Sequence, residues 1–174
     1  PLSGKYLQDL WGHKVHTVHG GVQTLQCHIC ARLISEATSQ GGIRYTDSRV
    51  VCGICRISEI TRTDEIELAK ENVLALLRTV GFEIPAYVPV SLSDKKTLNQ
   101  RLGVSLRANS HGYTRTLDRK IDPQNRHLEH SIFILFGLPR LMFHAVLAHE
   151  LIHVWLNERD LHHWSKKEIE GFCN

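Results

Sequence analysis

The sequence predicts an α+β fold, on three observations. Two C-x-x-C pairs lie in an N-terminal third rich in His and Gly. An apolar stretch of strand character covers Ser131 to Phe136, and an apolar helix behind it holds His149, Glu150 and His153 in its interior. The 174 residues have room for one ordinary domain, or for a core domain with a small satellite. Apolar residues make up 42% of the chain, enough for a packed core and against wholesale disorder. The formal charge of +3 is too small a surplus to select nucleic acid or an anionic membrane surface. Histidine, the commonest metal ligand among side chains, occurs 12 times against 21 Lys plus Arg.

Residues 1–60 lack long apolar periodicity, as expected of a small module stapled by metal because it cannot bury enough surface unaided. Within it Ile43-Arg44-Tyr45 and Arg49-Val50-Val51 flank Thr46-Asp47-Ser48, a hairpin pattern. Residues 61–82 form a connecting segment with a helix from about Asp64 to Val80. There Ile66, Val73, Leu77 and Val80 recur at helical spacing, Thr63 or Asp64 is placed to cap, and Gly81 stops the helix. Residues 83–174 make the second domain. It begins with a strand at Tyr87-Val88-Pro89-Val90, which the proline restricts to an edge, and a short helix from Lys95 to Leu102. Gly112 to Asp118 is a further candidate strand, and Ser131 to Phe136 a buried one. Gly137-Leu138-Pro139 turns the chain, with Pro139 suited to the first position of a helix that runs to about Asn157.

The longest apolar run, Ile132 to Leu138, is far short of the roughly 20 residues of a spanning helix, and no stretch has signal-peptide character. Paired C-x-x-C motifs favour thiolate metal ligation in a reducing compartment, so a cytoplasmic location is expected. The chain starts at Pro1 and stops at Asn174 within an apparent helix, the pattern of a fragment whose second domain is truncated at the C-terminus.

In His149-Glu150-Leu151-Ile152-His153 the histidines are four apart, leave one helix face and can hold one zinc. Glu150 then lies beside the metal as general base for a water whose pKa zinc lowers towards about 7, the chemistry of peptide hydrolysis. Val146, Leu147, Leu151, Ile152, Trp155 and Leu156 make the helix deeply packed, a costly place for an unpaired Glu150. A third protein ligand is required, with one position left open. Leu156 and Arg159 stand where the metzincin pattern needs Gly and His, which excludes that pattern. Glu170 is the strongest candidate: Ser165 and Glu168 form a capping box, so a new helix begins at Ser165 and carries Glu170 in its second turn. His162 and His163 are the alternatives, and with Tyr113 they are also candidates for stabilising the oxyanion. Ser131 to Phe136 is either a core strand or an edge that pairs with extended substrate.

Cys27, Cys30, Cys52 and Cys55 fit a closed structural zinc site of four thiolates, with no position left for substrate. His13, His16 and His19 recur every three residues but have no cysteine among them, and are read as surface or packing histidines rather than a further metal site. Cys173, three residues from Glu170, is the odd thiol, either a neighbour of the site or, as the favoured reading, a buried structural cysteine.

The segments Ile134 to Leu141, Leu147 to Leu156 and Glu170-Gly171-Phe172-Cys173 resemble the peptidase domain of the plant DA-one organ-size regulators. These are LIM-domain-associated, ubiquitin-activated zinc peptidases. The resemblance implies zinc ligands at His149, His153 and Glu170, catalysis by Glu150, and a LIM-like character for the cysteine module. The combined expectation is a zincin-like metallopeptidase domain behind an N-terminal LIM-like zinc ribbon, with one catalytic and one structural zinc. Its partners would be protein or peptide substrates, with ubiquitin-linked activation implied by the resemblance alone. Two rival readings are a non-catalytic zinc-dependent interaction module and an SprT-like DNA-associated protease. The second places its ribbon after the catalytic domain, whereas here the ribbon comes first.

Overall fold

A computed structural model describes residues 6–16, 25–102, 110–122, 125–159 and 164–174. The chain is a mixed α+β protein in two compact units, Pro1–Glu59 with Gly137–Pro139, and Ile60–Phe136 with Arg140–Asn174.

In the first unit, β1 (Tyr6–Gln8) pairs antiparallel with β2 (Lys14–His16) across a turn containing Gly12 at φ +85°. Asp9 in that turn is a knot. Its Oδ1 accepts from the backbone N–H groups of Trp11 and His13, and its Oδ2 accepts from Leu33 N at 3.0 Å and lies 3.1 Å from His13 Nδ1. Burial works to raise the Asp9 carboxyl. The N–H groups of Leu33 and His13, the His13 ring and Trp11 N outweigh it and hold the pKa at about 2. His13 is thus a packing histidine, and His19 lies outside the described residues.

The short helix α1 (Glu36–Ser39) is capped by Ser35, and β3 (Gly42–Arg44) and β4 (Val50–Cys52) form the expected hairpin, shifted by one residue. Arg49 reaches back to Asp47 at 2.8 Å and closes its turn. One helical turn, α2 (Gly53–Arg56), follows β4 directly. Cys27, Val51, Cys52 and Cys55 form the buried centre, flanked by Ile29, Ile34, Tyr45 and Ile54.

The second unit opens with α3 (Thr63–Thr79). Position Arg62, rather than Thr63 or Asp64, precedes the first turn and offers no acceptor there. Glu65 instead reaches back to accept from Thr61 N and Arg62 N, both at 3.2 Å. At the other end Gly81 takes φ +93°, and Gly81 N and Phe82 N donate to the carbonyls of Arg78 and Leu77, a Schellman closure.

The sheet has the order β5-β7-β6, with β5 at Val90–Ser93, β6 at Gly112–Asp122 and β7 at Asn125–Leu135. The expected strand at Tyr87–Val90 thus begins only where the proline ends. Pro89 has no N–H to give, but its carbonyl accepts from Ile132 N at 2.9 Å and starts the parallel ladder. Asp94 then caps α4 (Lys95–Leu102) by accepting from Thr97 N at 2.7 Å.

Strand β7 pairs with β5 over Ile132–Leu135 and with β6 along its length, so Ser131 to Leu135 lies inside the sheet. Over Ile132–Leu135 both of its edges are occupied, so that stretch is not available as a substrate-pairing edge. Among the described residues the edge strands of this sheet are β5 and β6.

Pro139 directly precedes α5 (Arg140–Asn157) instead of opening its first turn. Phe143, Leu147, Leu151 and Val154, all fully buried, recur at spacings of four, four and three and make one core face of α5. The helix packs against α3, β6 and β7, and α6 (Lys166–Cys173) folds back against it. Among the described residues no helix is long and apolar enough to cross a membrane.

Candidate metal centres

In the first unit the four cysteine thiols are free and converge. Cys27 Sγ lies 3.9 Å from Cys55 Sγ, and Cys30 Sγ lies 3.7 Å from Cys52 Sγ. A tetrahedron with zinc–sulfur arms of about 2.3 Å has edges of about 3.8 Å, so the thiols already have the spacing of a zinc cage. These distances are far too long for a disulfide, whose sulfurs are about 2.0 Å apart. Local backbone builds the cage. Ala31 adopts φ 58° and donates its N–H to Cys27 O, closing the first knuckle, while Cys52 N donates to Cys27 Sγ at 3.3 Å. Burial pushes the Cys55 thiol upwards, and the neighbouring Cys27 adds to it. Four adjacent thiols cannot all ionise unless a cation offsets their charge. The cluster is compatible with a zinc-ribbon or LIM-like region.

In the second unit α5 presents His149 and His153 on one face, with their Nε2 atoms 3.1 Å apart. Glu170 on α6 brings Oε2 to 3.7 Å from His149 Nε2. Nitrogen and oxygen ligands at about 2.1 Å from a tetrahedral zinc stand about 3.4 Å apart, and the two observed distances bracket that value. His149 and His153 therefore stand at the spacing of two ligands of one zinc ion, with Glu170 beside His149, while the three residues whose ligand atoms all lie within 4.8 Å of one another are His149, His153 and Cys173. Burial, helped by the facing His149, lowers the pKa of His153 and favours the neutral ring that binds metal. Aromatic packing holds α6 in place. Phe172 stacks on Trp155 with ring centres 6.1 Å apart and meets Trp164 edge-on at 5.5 Å, while Phe82 meets Trp155 at 5.0 Å.

Cys173 takes the first of its two expected places, beside the site, rather than the favoured one of a buried structural thiol. It is half-buried in this site, with Sγ 3.7 Å from His153 Nδ1, and it joins His149 and His153 as a possible metal-holding group. Burial, with Glu170 and Glu150 nearby, pushes its thiol up to about 12.

Glu150 turns away from the exposed side of α5 towards β6 and is only 5% exposed. The Thr114 hydroxyl lies 2.7 Å from its Oε2 and 2.9 Å from its backbone O, and can donate to one of them at a time. Burial pushes the Glu150 carboxyl up to about 7; the Thr114 bond opposes the shift and Glu170 adds to it. Gly112 faces the same carboxylate: a Cβ there would stand 2.7 Å from Glu150 Oε1 and 2.6 Å from Val146 Cγ1. Side chains alternate along a strand, so Tyr113 lies on the opposite face of the sheet from Glu150. That removes it as a group for the oxyanion. His162 and His163 lie outside the described residues.

Neither Thr114 nor Gly112 was singled out in the sequence, since no motif ties them to a residue 36 or 38 positions away. A glycine opening a strand was the available signal for close approach by another group.

Residues 90–174 match the family model described as DA1-like: Protein DA1. This C-terminal part of the chain is DA1-like. The whole chain is similar to LIM domain-containing protein HDR3 of Oryza sativa subsp. japonica, 26% identical over 94% of the chain and 38% of that protein. It is likewise similar to Protein DA1-related 2 and Protein DA1 of Arabidopsis thaliana, at 26% and 23% identity over 94% of the chain, covering 36% and 35% of those proteins. The chain thus spans little more than a third of the length of these curated relatives. No solved structure matches it.

Proposed function

We propose that the chain is a zinc-dependent endopeptidase, with a zincin-like catalytic domain over residues 83–174, a LIM-like zinc ribbon over 1–60, and 61–82 connecting them. The observation that carries this reading is the convergence of His149, His153 and Glu170 beside the buried carboxylate of Glu150. His149, His153 and Glu170 would hold the catalytic zinc, and Cys27, Cys30, Cys52 and Cys55 the structural one. When bound, the catalytic metal supplies Lewis-acid polarisation of the scissile carbonyl and lowers the pKa of water.

The chain's own residues do the rest. Glu150, ionised near neutral pH, takes the proton of the attacking water on a carboxylate oxygen and returns it to the leaving amine. Thr114 keeps that carboxylate in place. Leu135 N donates to His111 O, so alternate residues of β6 bond to β7, and the backbone groups of Gly112 and Thr114 point to the outer edge. That edge is where an extended protein substrate would pair, next to Glu150.

Glu150→Gln tests the reading. It should leave the zinc content unchanged and abolish cleavage of an unfolded protein substrate; activity equal to wild type would rule out the proposed base. Ubiquitin-linked activation enters only through family resemblance, and cleavage unchanged by ubiquitin conjugation would remove it. A cytoplasmic location fits the five free cysteines, and compartment fractionation tests it.

A further inference from the structure

We infer that Cys173 is a positioning residue for the metal: its sulfur accepts a hydrogen bond from His153 Nδ1–H and holds the opposite ring nitrogen towards the ion. The inference rests on the metal-site reading above. The two nitrogens of His153 have different neighbours. Nε2 faces His149 Nε2 at 3.1 Å, the side on which an ion shared by the pair must lie. Nδ1 faces Cys173 Sγ at 3.7 Å, within reach of a hydrogen bond to sulfur. When Nε2 binds a metal, the ring proton sits on Nδ1 and needs an acceptor. Histidine ligands are normally steadied in this way by a carboxylate, a carbonyl or a water. Here a thiol occupies that position.

The placement follows from α6. Glu170 and Cys173 are three residues apart on this helix and share a face, so the element that brings Glu170 to His149 also brings the sulfur to His153. The capping box at Ser165 and the contacts of Phe172 with Trp155 and Trp164 set the position of that face.

The test uses the whole chain, with zinc affinity measured by chelator competition at the site that His149→Ala removes. Cys173→Ala should weaken zinc binding there by about 10- to 100-fold. Cys173→Ser, which keeps an acceptor, should recover most of that loss, whereas a purely space-filling role predicts no difference between Ala and Ser. Cobalt(II) difference spectra, wild type minus Cys173→Ala, should show no thiolate-to-metal charge-transfer band. Unchanged zinc affinity in Cys173→Ala overturns the inference, and so does a thiolate band, which would make Cys173 a direct ligand. If His149→Ala leaves zinc binding untouched, the metal-site reading fails and takes this inference with it. Loss of zinc in His149→Ala but not in Cys173→Ala defeats the positioning role alone.

Discussion

The hydroxyl of Thr114 on β6 lies 2.7 Å from Oε2 of Glu150 on α5. This single contact joins the edge of the sheet to the carboxylate of the H-E-x-x-H helix, and it opposes the effect of burial on that carboxyl. Thr114→Val removes the donor at nearly constant volume. The Glu150 pKa should then rise further above about 7, so the base is ionised over a narrower range. The acid limb of the pH–rate profile should move to higher pH, with a loss of roughly tenfold below neutrality for a shift of about one unit. A profile that does not move would separate Thr114 from the base.

Gly112→Ala places a methyl group against Glu150 Oε1 and Val146 Cγ1. Both neighbours are held in the packed layer between α5 and β6, so relief requires displacing the carboxylate. We expect a loss of about 1–3 kcal/mol in stability, the range for overpacking, and a larger fall in kcat than in thermal stability. Full activity in this variant would show that the carboxylate has room to move.

What was legible in the sequence follows the range of the interactions concerned. Helix α3 was legible because Ile66, Val73 and Leu77 repeat at helical spacing and Gly81 ends it locally. The H-E-x-x-H helix and the capping box before Glu170 are likewise local patterns. Strand β7 was only half legible. Ile132 and Ile134 announce themselves as core, but the polar stretch from Asn125 to His130 is a strand because it pairs with β6. Its partner determines it, not its own hydrophobic pattern. Strand β5 was misplaced for a related reason, since its parallel pairing with β7 joins residues some 40 positions apart. The spacing of Cys173 from Glu170 already offers it as a neighbour of the site, but its partner there is not legible, because the acceptor for a histidine ring nitrogen can be any of several groups and none leaves a spacing rule.

Asp9 gives the first unit a pH dependence of definite sign. Its carboxyl titrates at about 2 in the folded chain, below the ordinary value of 3.8. The stabilisation is therefore complete above the ordinary value and is lost as the pH falls through the interval towards about 2. Asp9→Asn should lower stability at neutral pH and make the acid limb of the stability curve shallower. Chemical unfolding of both proteins at a series of acid pH values measures this, and parallel curves would contradict it.

Cys52→Ser removes one donor from the four-thiol cage and leaves three. Zinc binding contributes folding free energy directly in small modules, so the variant should lose its structural zinc and melt at a lower temperature. An unchanged melting temperature with full zinc content would rule out the four-thiolate assignment.

We expect His149 and His153 to hold a metal distinct from the one held by the cysteines. Zinc per chain, measured on purified wild type and on His149→Ala, tests it most directly. Two zinc ions in the wild type and one in the variant are expected. A single zinc, unaffected by the substitution, would contradict it and leave only the cysteine cluster as a metal site.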